Sequence, residues 1–410
     1  MRGEGSMFLN KRNGAMRALV TVPSIENESA GPSYTVPSLC DALSKNGVDV
    51  QLHVLDKVPN QRRNYSVKNY VRSRFPVTAL GRCSEMLKVF KQELNECNIV
   101  HNNGIWMMPN VYPAIAKRGT KCKLVFCPRG GLSEIALKRS RIKKFLMGHL
   151  CGQYKALRET DMFHAASMKE LEEIRTLGYK QPIALVPNGI DVLNVEHKPF
   201  DEELRKIAFF GRIHTTKAVD CLVEAWGNVC AKFPNWSIEI AGPDCGAVPL
   251  LKKIIQERNI PRVSFLGELH GMDKYKFLAS ADLYVLPSLT ENFGITIAEA
   301  LACGTPVIAS RGCPWERLEA KGCGWWIDIG VEALTAQLEQ SLGKSPDGLK
   351  NMGEKGISWM QEEYMWDGIG EKMASAYKWL CEGGEKPDCV FIDYFLSAHN
   401  NIRLSWEMNK

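Results

Sequence analysis

Glu291 and Glu299 bracket a segment that opens with Asn292, Phe293, Gly294 and Ile295 and whose residue types suit a phosphorylated sugar. A carboxylate is a poor ligand for phosphate and a good hydrogen-bond acceptor for sugar hydroxyls. Backbone N–H groups at a helix start favour an anion, and a glycine there lets it approach closely. Taken singly, each glutamate would read as a solvated surface residue, because charged side chains mostly stay in water. Taken together, the two can hold a sugar and a ribose with a diphosphate on the amides between. Further upstream, Arg212 and Lys217 straddle a loop led by Gly211. Two cations so placed can neutralise a departing diphosphate.

These residues need elements that bring them together. Residues 283–286 form an apolar run that stops at Pro287, helical spacing runs over 294–302, and Gly304 and Pro306 precede a second apolar run at 307–309. The pattern predicts a parallel βαβ unit. Glu291 then falls in the loop at the strand's carboxyl end and Glu299 about one and a half turns into the helix, so both border one crevice above the strand ends. Residues 207–210 predict the strand that leads into Gly211, with a helix from about Val219. Strands at 236–241 and 263–266 follow, the latter ending beside Leu269.

The first half of the chain repeats the theme. A strand at 18–22, a loop holding Gly31, helical spacing through Val36, Leu39 and Leu43, and a strand at 48–55 make another βαβ unit. His101 and Asn103 stand at the carboxyl end of a strand beginning at Ile99, and Pro128, Arg129 and Gly130 follow a strand at 124–126. That end is the ligand side of an open α/β sheet, which makes His101, Asn103 and Arg129 candidate ligand contacts. Arg129 suits anion binding. A strand at 183–186 ends in Pro187, Asn188, Gly189, Ile190 and Asp191, and a polar stretch to Arg205 predicts the linker.

At 410 residues the chain exceeds what one hydrophobic core usually supports, so two domains are expected. The boundaries read as an extension at 1–15, a first domain at 16–190 with a helix at 364–380, a linker at 191–205, a second domain at 206–363 and a tail at 381–410. Composition is that of a globular protein, with 45% apolar and 24% charged residues and a net charge of +6. The fourteen cysteines are scattered, without C-x-x-C pairs or zinc spacing, and read as reduced buried thiols of a cytoplasmic protein. No apolar stretch is long enough to span a bilayer. Ile135, Leu137, Ile142, Phe145, Leu146 and Leu150 supply apolar positions in and around the cluster of Lys138, Arg139, Arg141, Lys143 and Lys144. This basic amphipathic pattern suits an anionic membrane surface, the alternative being a solvated helix face. No nucleic-acid motif accompanies it.

Glutamate, seven residues and glutamate, flanked by Val-Leu-Pro-Ser before and Ala-Leu-Ala-Cys-Gly-Thr-Pro-Val after, resembles the signature of glycosyltransferase family 4. The Gly211, Arg212 and Lys217 loop is similar to the family's donor loop, and the resemblance covers residues 18–380. It implies a GT-B fold of two Rossmann-like α/β domains facing a cleft. The acceptor lies on the first domain, the nucleotide sugar on the second, and a terminal helix at 364–380 crosses back. It also implies transfer with retention and no metal, with Arg212, Lys217 and Glu291 catalytic. The donor would meet Gly31, Gly211, Arg212, Lys217, Leu269, Glu291, Asn292, Phe293, Gly294, Ile295 and Glu299. The Pro128 segment resembles enzymes that build bacterial surface polysaccharides such as O-antigen or capsule on lipid-linked oligosaccharides. That implies peripheral attachment to the inner face of the cytoplasmic membrane. Arg129 stands where many of those enzymes carry histidine, which argues for anion binding over acid–base chemistry. The rival classes are another enzyme on nucleotide sugars, such as an epimerase, and a non-catalytic nucleotide-sugar-binding homologue. A dehydrogenase would show G-x-G-x-x-G after its first strand, which is missing.

Overall fold

The computed structural model describes residues 15–26, 31–55, 63–73, 80–191, 195 and 203–392. The strands in chain order are β1 (Arg17–Thr21), β2 (Asp49–Val54), β3 (Ser66–Asn69), β4 (Ile99–Asn103), β5 (Lys123–Cys127), β6 (Met162–Ala165), β7 (Ile183–Leu185), β8 (Arg205–Phe210), β9 (Trp236–Ala241), β10 (Val263–Gly267), β11 (Leu283–Leu286), β12 (Val307–Ser310), β13 (Gly324–Ile327) and β14 (Val390–Phe391). They form two sheets, ordered β14-β7-β6-β5-β4-β1-β2-β3 and β10-β9-β8-β11-β12-β13. Counted from its own first strand, each sheet carries the order 3-2-1-4-5-6 of a doubly wound nucleotide-binding domain. Ligands collect in such a sheet where the order reverses, beyond the carboxyl ends of the strands. In the second sheet that point lies between β8 and β11. The cationic loop after β8 and the glutamate-bearing loop after β11 are therefore neighbours by topology alone.

The strands are apolar on both faces, as parallel strands sandwiched between helix layers must be. Leu283, Tyr284, Val285 and Leu286 of β11 are wholly buried, as are Leu124, Val125, Phe126 and Cys127 of β5. One core gathers around Trp226, Phe209, Ile238 and Leu301 of the second domain. In the first domain, a core on one sheet face contains Val20, Leu43 and Leu52 together with Trp366, Ile369, Met373 and Tyr377. Those last residues belong to the helix Trp366–Glu382, which crosses back onto helix Gly31–Lys45. Gly370 makes this crossing close, since a Cβ there would lie 2.8 Å from the Ala42 backbone.

The structure corrects the expected boundaries at several points. The crossing helix runs on to Glu382, and β14 then adds an antiparallel edge to β7, so 381–392 is part of the first domain. A two-residue strand is too short for any periodic signal. β3, β6 and β13 are strands of four residues without long apolar runs. The second sheet begins at Arg205 rather than 206. Residues 1–14 of the expected extension, 192–194 and 196–202 of the expected linker, and 393–410 of the expected tail lie outside the described residues.

Candidate active site

A cavity of about 1160 Å³ lies between the two domains. Three loops supply much of its second-domain wall. The first leaves β8 at Gly211, whose carbonyl lies so close to Gly242 that a Cβ there would sit 2.0 Å from it. His214 then caps a short turn at Thr215–Lys217 by accepting from the Thr216 amide at 3.1 Å. The second loop leaves β11 and is stitched to the first by the Leu289 amide donating to the Thr216 carbonyl at 2.9 Å. The third follows β10 and contributes Leu269.

Arg212, Lys217, Leu269, Glu291, Asn292, Phe293, Gly294, Ile295 and Glu299 all line this cavity, together with Gly31, Gly211 and Arg129. Among the described residues Arg212 is exposed and makes no hydrogen bond or ion pair. Lys217 is ion-paired with Glu291, both largely buried. Glu299 is buried and ion-paired with Lys274 at 2.6 Å. Burial works to lower the Lys274 pKa, but the Glu299 carboxylate and Tyr275 outweigh it and raise it. The cleft thus holds two cation–carboxylate pairs side by side on one wall. A diphosphate can take over the ammonium of the first pair and leave its carboxylate for a sugar hydroxyl.

Between the pairs, helix Ile295–Ala302 starts at Gly294 without a side-chain cap. Its first amides therefore remain available to an anion. Trp315 backs this turn, donating from Nε1 to the Phe293 carbonyl at 2.6 Å and packing against the Phe293 ring. Tyr284 of β11 holds Thr296 from below through a hydroxyl contact of 2.7 Å. Asn292 Oδ1 is buried beside Gly130 without a hydrogen-bond partner among the described residues.

The first domain completes the site. Helix Gly31–Lys45 points its first turn at the cavity, and the space around Gly31 is open. Tyr34 donates its hydroxyl to Asp191 and lies 5.5 Å from the Lys274 ammonium. Lys169, on helix Met168–Thr176, crosses to the glutamate loop and donates to Thr290 Oγ1 at 2.9 Å, the Glu291 carbonyl at 3.3 Å and the Gly312 carbonyl at 3.1 Å. Glu170 beside it is fully buried; desolvation pushes its carboxyl up, opposed by hydrogen bonds from the Ala166 and Gly130 amides and from Asn292.

Two expected acceptor-side residues are placed differently. His101 is wholly buried under the crossing helix, with Nδ1 2.6 Å from the Tyr377 hydroxyl and Nε2 3.2 Å from His164. Burial, then His164 and Arg129, hold it well below its usual pKa, so it is neutral and away from the cleft. It sits inside the sheet because β4 is a central strand flanked on both sides. Asn103 is also buried and supports Arg129 from behind. Lys169, Lys274, Tyr34, Asp191 and Glu170 were missed by sequence reasoning. Lys274 and Lys276 look alike in helix Gly271–Ala279, and only the folded chain turns one of them to Glu299.

Residues 30–192 match the model described as Glycosyltransferase Family 4, and residues 194–359 match that described as Glycosyl transferases group 1. Over 117 residues the chain is 40% identical to the D-inositol 3-phosphate glycosyltransferase of Mycobacterium bovis, a match covering 27% of this chain and 23% of that protein. It therefore spans under a quarter of that curated relative's length. Among solved structures it is similar to a sucrose-phosphate synthase from Thermosynechococcus elongatus, with a TM-score of 0.70 and 19% identity over 89% of this chain and 99% of that one. Anabaena HepE in complex with UDP and glucose gives a TM-score of 0.70 and 18% identity over 88% and 99%. With both walls of the cleft matched by family models and the two-sheet architecture shared with such enzymes, the chain belongs to glycosyltransferase family 4 and has the GT-B fold.

Proposed function

We propose that the protein is a retaining glycosyltransferase that moves a sugar from a nucleotide-sugar donor to a hydroxyl of a glycan acceptor. The observation that carries this reading is the convergence of Arg212, Lys217, Glu291 and Glu299 on one cavity at the switch point of the second sheet. When the donor binds, Lys217 leaves Glu291 for the diphosphate, Arg212 joins it, and the freed Glu291 accepts from a hydroxyl of the transferred sugar. Glu299 takes the ribose hydroxyls. The bond from the anomeric carbon to the diphosphate breaks, the acceptor oxygen bonds to that carbon on the same face, and the acceptor's proton passes to the departing phosphate oxygen. Because two cations and the helix amides carry the leaving charge, turnover proceeds without a divalent metal. EDTA should leave the rate unchanged.

A lipid-linked oligosaccharide, extended for O-antigen, capsule or exopolysaccharide, fits this reading as the acceptor. Its support is helix Arg141–His149 and the residue that follows it, where Ile142, Phe145 and Leu150 are 80%, 61% and 77% exposed among Arg139, Arg141 and Lys143. Apolar side chains left in water beside cations suit an anionic membrane surface, at the inner face of the cytoplasmic membrane. Among the described residues no helix is long and apolar enough to cross a membrane. Sedimentation with vesicles containing phosphatidylglycerol should show binding that weakens with salt, and Phe145→Ser should reduce it. Failure to bind at any ionic strength would remove the membrane part of the proposal.

The deciding test is a melting panel of UDP, GDP, ADP, CMP and dTDP sugars, since a ligand that binds only the folded state raises the melting temperature. One nucleotide should stand out, with UDP the first to try because HepE binds it. Proton NMR of the product should then show the donor's anomeric configuration, and inversion would overturn the retaining assignment.

A further inference from the structure

The first-domain wall of the cleft carries a guanidinium that, among the described residues, forms no ion pair with a carboxylate. Arg129 donates from Nε and Nη2 to Asn103 Oδ1 at 3.2 and 2.8 Å, and from Nη1 to Asn188 Oδ1 at 2.7 Å. Both partners are neutral amides, and among the described residues no carboxylate pairs with this guanidinium. A guanidinium has five N–H groups, so these bonds leave one on each terminal nitrogen. That is the fork a carboxylate or phosphate accepts from. Arg139 and Lys144 line the same cavity. Lys144 donates to the Ala136 carbonyl, and burial, with repulsion from Arg139 and Lys143, lowers its pKa.

Four acids on this side face other partners. Asp41 faces Arg63, Asp191 accepts from Tyr34, and Glu173 sits beside Lys169. Glu170 feels the charge of Arg129, but its two oxygens accept from the Gly130 and Ala166 amides. The histidines behind Arg129, His101 and His164, are held neutral by burial. Arg129 is also held in a left-handed conformation, φ +54°, which an L residue adopts at some cost. Its position is next to the chemistry. A Cβ on the following residue, Gly130, would lie 2.9 Å from Asn292 Cβ, and Asn292 adjoins Glu291.

We propose that Arg129, with Arg139 and Lys144 near it, binds a carboxylate or phosphate carried by one of the two sugars at the reaction centre. The enzyme then handles an acidic sugar, either a uronate on the donor or an anionic group on the acceptor. The inference rests on the glycosyl-transfer reading for the location of the sugars.

Calorimetric titration of the full chain separates the sources. In the donor arm UDP-glucuronate is compared with UDP-glucose, or their counterparts on the nucleotide that the melting panel selects. In the acceptor arm glucuronate and glucose 1-phosphate are compared with glucose, with and without saturating nucleotide. In one arm the acidic ligand should bind at least tenfold tighter than the neutral one, a difference of about 1.4 kcal/mol. Arg129→Met should abolish that ratio and Arg129→Lys should retain part of it. An Arg139→Met, Lys144→Met double variant should lower it even if Arg129→Met fails to fold. Equal binding of acidic and neutral ligands in both arms, or an undiminished preference in the variants, would overturn the proposal. Failure of every nucleotide to bind would instead remove the donor reading, and the acceptor arm without nucleotide would still decide the charge claim.

Discussion

Lys217 is the residue whose removal should cost most in rate. Its ammonium is paired with Glu291 in the cleft wall, within reach of a bound diphosphate. Lys217→Ala should lower kcat by roughly 10²–10³, about 3–4 kcal/mol, by analogy with deleting one donor to a developing anion. Near-normal turnover would contradict that role. A second residue gives a pH signature. Burial pushes Glu173 up to about 7 from an ordinary 4.5, with Lys169 opposing the rise and Glu170 and Glu172 adding to it. The folded chain therefore favours the protonated acid. Its stabilising effect is full below about pH 4.5 and is lost as pH rises through about 7. Melting curves across that range should fall for the wild type relative to Glu173→Gln, and parallel curves would contradict the assignment. Arg212, Lys217, Glu291 and Glu299 were legible because each sits at a fixed offset from a strand end. Lys274 and Lys169 were not, since nothing local distinguishes a lysine that crosses a cleft from one that meets water.

The glutamate loop and its helix work as one piece held from two sides. Gly294 has φ +79°, and a Cβ there would lie 3.3 Å from Ile297 Cδ1 and 3.4 Å from Trp315 Nε1. Gly294→Ala should cost about 1–2 kcal/mol of stability for the left-handed backbone. It should also weaken diphosphate binding, because the methyl crowds the turn that presents the amides. Equal melting temperatures and equal affinity would count against this reading of the turn. From the other side Lys169 ties the loop to the first domain through three oxygens. Lys169→Met should speed amide exchange over residues 287–294 and lower kcat while leaving donor affinity nearly unchanged. Unaltered exchange there would show that the lysine does not hold the loop. Strand–loop–helix order and the stop at Gly304 and Pro306 were readable from spacing. The hold from the first domain was not, because it depends on a contact between residues more than a hundred positions apart.

At the scale of the molecule, the cleft exists because two doubly wound sheets face each other and the crossing helix returns to the first domain. Gly370→Val should disrupt that return, since a branched side chain has no room against the Ala42 backbone, and overpacking of this kind typically costs about 1–3 kcal/mol. A thermal melt reads it directly. Sequence spacing revealed the two domains and the returning helix, and it missed β14 because that strand is specified by the edge of β7 and not by its own residues. The measurement that bears most directly on the whole account is calorimetric titration of a nucleoside diphosphate and of the corresponding nucleoside into wild type, Lys217→Ala and Glu299→Gln. The account predicts that Lys217→Ala weakens the diphosphate and leaves the nucleoside unaffected, while Glu299→Gln weakens both. Diphosphate affinity indifferent to both substitutions would mean that the two cation–carboxylate pairs do not form a donor site.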